Sequence, residues 1–366
     1  MTPEYLRRVG AELDRIRKVD QYREIGNDEQ TYAADFSSND YLGLATDSRM
    51  VEALRQAKRV GSGGSRLLGG RHREHRLLEE DIARWVGRER ALLFSSGYLA
   101  ALGAIQVLAM AARTIYSDAL NHASLIDGMR LTNISREIYP HARLPEARNS
   151  RALIVSETYF GMDGDRLDVG DMTKRLRDED IVLLDEAHAL GVLGNNGRGL
   201  AYGAPDDRII VLGTLSKAIG AAGGFVAGPE RVIELLINLA RAFIYDTALP
   251  PAIAFAARAG ILLAQNAGDA RTRLLDKANR LRDGLRQLGL EVLGSSGPIV
   301  AVLFGSEQAA LDAMQRCAAQ RIRAPAIRPP TVPEGTSRLR LCVRADHTDA
   351  QIDLLLDTLA ACTAIS

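Results

Sequence analysis

Cysteine is scarce in this chain. Its 366 residues hold three, Cys317, Cys342 and Cys362, all in the C-terminal quarter and without CxxC spacing. That argues against a zinc site or a disulfide framework, so core thiols and no metal are expected. Net charge is also missing: 46 basic residues balance 46 acidic ones, leaving no overall field to recruit nucleic acid or an anionic membrane. No uncharged apolar run approaches the roughly 18 residues of a membrane span. No N-terminal stretch joins a basic start to an apolar middle and a cleavage site. A cytoplasmic protein with a small-molecule partner is the expectation. There is no repeat and no low-complexity tract, and a composition 46% hydrophobic and 25% charged is that of an ordinary globular protein.

What is present begins with an amphipathic stretch over residues 4 to 23, where Leu6, Val9, Leu13 and Ile16 recur at helical spacing and call for a packing partner. From about Phe36, short apolar strands alternate with helical segments. Strands are expected at Ala91–Phe94, Thr114–Tyr116, Glu137–Tyr139, Leu153–Ser156, Ile181–Leu184, Ile209–Leu212 and Phe225–Ala227. This order predicts an α/β fold with a mostly parallel sheet covered on both faces. Beyond about Asp269 the texture is that of a compact α+β unit, with strands at Ile299–Phe304 and Leu339–Val343 and an ordered proline-rich loop at Pro325–Pro333. The expected division is a helical segment 1–39, a large domain 40–270 and a small domain 271–366.

Chemistry gathers where strands end. Lys217 follows Ile209–Leu212 within Thr214-Leu215-Ser216-Lys217, and Asp185 and His188 leave the end of Ile181–Leu184. Ala91–Phe94 runs through Ser95-Ser96-Gly97 into a helix starting near Tyr98, a strand–turn–helix suited to phosphate. Taken singly, each has an ordinary explanation: a solvated lysine, a satisfied histidine, a turn. Asp185 as a magnesium ligand in a nucleotide enzyme lacks the GxxxxGK[ST] loop that should accompany it. In a sheet of this kind ligands lie outside the carboxyl ends of the strands, so these residues should converge. An amine, an acid and a phosphate cradle are the handles that pyridoxal 5'-phosphate needs.

Longer runs carry a family resemblance: Phe36-Ser37-Ser38-Asn39-Asp40-Tyr41-Leu42-Gly43-Leu44, Gly61 to Ser65, His75 with Leu78-Glu79, Asn121-His122-Ala123-Ser124-Leu125, Met162-Asp163-Gly164-Asp165, Asp185-Glu186-Ala187-His188 and Gly197-Arg198-Gly199. Over nearly its whole length the chain resembles the α-oxoamine synthases, fold-type I pyridoxal-phosphate enzymes that condense an amino acid with an acyl thioester and release carbon dioxide. The resemblance implies a seven-stranded, mostly parallel sheet in the large domain. It further implies that Lys217 holds the cofactor aldehyde, Asp185 meets the pyridine nitrogen, His188 the ring oxygen, and His122 the ring face. Gly97, Tyr98, Thr214 and, from a second subunit, Thr247 are expected at the phosphate. Arg23, Asn39, Thr331 and Arg340 are expected at the substrate. The run Ile327 to Leu341 most resembles members that join L-alanine to a pimeloyl thioester of coenzyme A or a carrier protein, and a homodimer is implied. Glycine with a shorter acyl chain stays open, as do an aminotransferase of the same fold and a cofactor-free binding protein. Two departures stand out: Gly161 where the family often has serine, and the added positive charge of Arg66, Arg71 and Arg73.

Overall fold

The computed structural model describes residues 3–19, 21–23, 25, 31–149, 151–204 and 206–363. After a short strand β1 (Ala34–Asp35) come the strands of the large sheet: β2 (Arg90–Phe94), β3 (Thr114–Asp118), β4 (Ser135–Tyr139), β5 (Ala152–Glu157), β6 (Ile181–Asp185), β7 (Ile209–Thr214) and β8 (Gly224–Gly228). They form one seven-stranded sheet in the order β2-β8-β7-β6-β5-β3-β4. β3, β4, β5, β6 and β7 pair in parallel, while β8 runs antiparallel to both β7 and β2. Each of the seven expected strands is present, and each is one or two residues longer than the apolar run that announced it.

The central strands read as unbroken apolar runs because both faces are covered. Ile154, Val182, Leu184, Val211 and Phe225 point into one buried cluster, and Leu153, Val155, Leu183, Leu212 and Val226 into the other. Period-two alternation thus survives as a choice between two cores rather than between core and water. The helix Gly97–Leu108 is apolar nearly all round because it lies between the sheet and the helix Ala123–Arg130.

The C-terminal unit carries β9 (Glu291–Leu293), β10 (Ile299–Gly305), β11 (Ile322–Arg323), β12 (Ala326–Ile327) and β13 (Ser337–Cys342), four of which form a sheet in the order β12-β13-β10-β9. Helices Gly268–Gln287, Glu307–Ala319 and Asp349–Thr363 cover it. β12 sits at the sheet edge just before the prolines, which cannot supply ladder donors. β1 pairs in parallel with β11, tying the segment before Asn39 to this unit. Cys317 and Cys342 are buried thiols; the side chain of Cys362 lies outside the described residues. Among the described residues no helix is long and apolar enough to cross a membrane. The first helix, Glu4–Lys18, buries none of its residues, and Leu6, Val9 and Leu13 remain exposed. Among the described residues, none covers the apolar face that its sequence presents.

Candidate active site

Parallel pairing does the first work. β5 and β6 lie in a register that sets Glu157 beside Asp185, so two carboxylates finish neighbouring strands, and Lys217 lies three residues beyond the end of β7. Asp185 is buried and accepts a hydrogen bond from the Ala187 amide at 2.8 Å. Burial raises its pKa, opposed chiefly by the nearby Lys217 charge. The lysine is pushed the other way: desolvation lowers its pKa to about 8 against the pull of Asp185 and Glu157. Glu157 itself rises to about 8, first through burial and then through repulsion from Asp185. Its Oε1 accepts the His122 amide at 2.8 Å, which fixes the backbone under the imidazole. His122 Nδ1 lies 2.8 Å from Ser124 Oγ, so the ring's own orientation is pinned as well. Glu157 is absent from the sequence reading, because the expected strand stopped at Ser156 and hid an acid at a strand end. The signal was the one that singled out Asp185.

A second row of contacts starts at the lysine. Its Nζ lies 2.8 Å from His188 Nε2, and His188 Nδ1 lies 2.7 Å from the hydroxyl of buried Tyr41. Tyr41 also reaches Asn39 Oδ1 at 3.1 Å, and the same oxygen accepts from Arg340 Nη2 at 3.0 Å. Arg340 Nε donates to the Gly161 carbonyl and Nη1 contacts Cys342 Sγ at 3.0 Å, leaving part of its donor set for a ligand. The glycine at 161 has a structural reason here. A Cβ would stand 2.4 Å from His188 Nε2, so the imidazole packs directly on the backbone. His188 is held well below the ordinary histidine pKa, first by burial and then by the Lys217 and Arg340 charges, and stays neutral.

At the other end, Ser96 caps the helix Gly97–Leu108, its Oγ accepting from the Leu99 amide at 3.2 Å. The first-turn amides of Gly97 and Tyr98 precede the helix's own bonding ladder and are the usual anion donors. Thr214 Oγ1 would lie 3.3 Å from a Cβ at Gly97, and a Cβ at Gly224 would stand 2.4 Å from the Gly97 nitrogen. Strand end and helix start therefore close on each other because Gly224 has no side chain, and Gly97 keeps the Thr214 side chain uncrowded. This bare cradle, a buried acid and a depressed lysine between them fit pyridoxal phosphate.

Not every expected residue joins this cluster. Arg23 is exposed on the stretch after the first helix and makes no hydrogen bond to the cluster, Thr331 is exposed with its amide on Arg328 O at 3.0 Å, and Thr247 is exposed beside Ala248. The Tyr98 hydroxyl donates to Asp127. Arg66 is not a free charge: it forms a two-pronged pair with Glu79 at 2.9 and 3.1 Å, while Arg71 and Arg73 are exposed.

The model of the class I and II aminotransferases matches residues 33–359, and the chain belongs to that family and, within it, to the α-oxoamine synthases. The resemblance read from the motifs is borne out. Over 353 residues, 93% of this chain and 88% of the relative, it is 42% identical to the 8-amino-7-oxononanoate synthase of Cellvibrio japonicus. It is 43% identical to that of Methylococcus capsulatus over 89% of this chain and 88% of the relative. Among solved structures, the serine palmitoyltransferase of Sphingomonas wittichii superposes with a TM-score of 0.88 at 26% identity, covering 100% of this chain and 99% of its own. The 8-amino-7-oxononanoate synthase of Francisella tularensis superposes with a TM-score of 0.77 at 28% identity, over 90% of this chain and 97% of its own.

Proposed function

We infer that this chain is a pyridoxal-phosphate-dependent acyltransferase that condenses L-alanine with a pimeloyl thioester, releasing carbon dioxide and a thiol to give 8-amino-7-oxononanoate for biotin synthesis. The observation that carries the reading is identity of 41% or more to enzymes of that name across most of the chain. Bound pyridoxal phosphate supplies an electron sink for negative charge at the amino-acid α-carbon. Lys217 takes the α-proton, a task for which an amine titrating near 8 is suited. Asp185 would supply the negative charge that favours a protonated ring nitrogen, and His188 and His122 would hold the ring. Gly97, Tyr98 and Thr214 would hold the phosphate, and Arg340 with Asn39 would orient the alanine carboxylate. The α-carbon then bonds to the thioester carbonyl as the C–S bond breaks and the thiol leaves. Loss of carbon dioxide from the alanine carboxylate follows, and a proton returns to the α-carbon.

The finer assignments belong to the same reading. It divides the chain at 1–39, 40–270 and 271–366, places it in the cytoplasm and pairs it as an isologous homodimer. Exposed Val60, Leu67, Leu68 and Tyr245, around the glycine loop and next to Thr247, support the pairing. Arg23, Thr247 and Thr331 then gain their roles from the partner or from substrate. A panel of amino acids against acyl thioesters, on coenzyme A and on carrier protein, tests the reading through carbon dioxide release and product mass. Alanine with pimeloyl thioester gives the largest kcat/KM; a larger value for glycine with acetyl- or succinyl-CoA overturns it.

A further inference from the structure

Tyr41 belongs to the run Asn39-Asp40-Tyr41 and has no part in the chemistry described so far, yet it is fully buried and occupies the middle of the row Lys217–His188–Tyr41–Asn39–Arg340. The proton positions along this row follow from what each group can do. Arginine only donates, so the Asn39 atom facing Arg340 is the carbonyl oxygen. An amide oxygen only accepts, so the Tyr41 hydroxyl, 3.1 Å away, donates its single proton there. With that proton committed, the tyrosine oxygen accepts from His188 Nδ1 at 2.7 Å. A neutral imidazole with its proton on Nδ1 presents a lone pair at Nε2, where the Lys217 amine donates at 2.8 Å. Gly161 closes the arrangement: a Cβ there would stand 2.4 Å from His188 Nε2, so only a bare Cα leaves room for the nitrogen that faces Lys217.

We propose that Tyr41 is a positioning residue that sets His188 as the Nδ1-protonated tautomer and thereby gives the Lys217 amine its acceptor, joining the carboxylate-binding side of the site to the amine by one directed chain of hydrogen bonds. The inference rests on the proposed function only in calling Arg340 and Asn39 the carboxylate side; the tautomer itself depends on this chain alone. Without the hydroxyl, Nδ1–H is a buried donor with no acceptor, a costly state that the ring escapes by moving the proton to Nε2. A donor then faces the lysine, and the ammonium form is disfavoured further.

The test uses protein stripped of cofactor, labelled with nitrogen-15 histidine, with His188 assigned through its own substitution. The wild type should show the Nδ1–H pattern of nitrogen shifts, and Tyr41→Phe should lose it in favour of Nε2–H. The midpoint for modification of Lys217 by an amine-reactive probe should fall below the wild-type value in the same variant. Asn39→Asp, which keeps an acceptor for both Tyr41 and Arg340, should retain the wild-type tautomer. A wild-type spectrum of the Nε2–H type overturns the proposal even if Tyr41→Phe fails to fold, and so does a tautomer unchanged by Tyr41→Phe. Failure of the proposed function appears separately, as wild-type protein that forms no product from alanine and pimeloyl thioester while these nitrogen shifts stay as expected.

Discussion

Two groups of ionisable side chains, one half-buried and one buried, lie at the carboxyl edge of the large sheet, and they are built on opposite plans. His141 bridges Asp118 at 2.9 Å and Asp165 at 2.5 Å, so each ring nitrogen meets a carboxylate. Burial alone would lower its pKa, but the two acids outweigh it and raise the value to about 10. The ring stays charged and locks the Met162–Asp165 turn to the end of β3. In the other group the Lys217 amine touches an imidazole instead of an acid, and desolvation leads for Lys217, Asp185 and Glu157 alike. The amine falls and Glu157 rises until both stand at about 8. Contact between opposite charges drives pKa values apart and makes a brace; burial without contact draws them together and leaves protons movable.

The largest expected effect removes the movable amine. Lys217→Ala should retain cofactor through the cradle and Asp185, seen by absorbance, yet lose at least about a thousandfold in turnover measured as carbon dioxide release. Next, Asp185→Asn takes away the acid that supports the lysine's charge. It should cost roughly a hundredfold in kcat/KM and shift the Lys217 modification midpoint below about 8. Glu157→Gln keeps an oxygen for the His122 amide and removes the weaker of the two supporting charges. A loss within about tenfold and a smaller shift of the same sign are expected, and a shift larger than that of Asp185→Asn would reverse the ranking. The brace predicts a stability effect. A histidine raised from 6.5 to about 10 on folding contributes stabilisation that is fully present below pH 6.5 and is lost as pH rises through about 10. Thermal melts of wild type and His141→Asn should therefore differ most near pH 6 and converge towards pH 10, and a constant gap would mean that the ring is not a bridging cation.

Much of this was legible in residue order. Apolar runs located every strand of the large sheet, and Lys217, Asp185, His188 and Gly97 were found because each sits just past such a run, where a parallel sheet collects its ligands. Glu157 was missed through a strand end misplaced by one residue. Tyr41 was quoted within a motif without a role, since only the tertiary fold brings His188 to its hydroxyl and returns the chain through β13 to set Arg340 on Asn39. Arg66 read only as added positive charge because Glu79, its two-pronged partner in space, is thirteen residues away in sequence.

By itself the order of residues determined the architecture, the family and the candidate lysine, because these depend on local periodicity and on motifs whose spacing is written along the chain. Which protons are shared, which charges are braced and which left movable was decided only by tertiary structure. Those properties depend on burial and on distances of about 3 Å between residues far apart in sequence, and no local pattern encodes either.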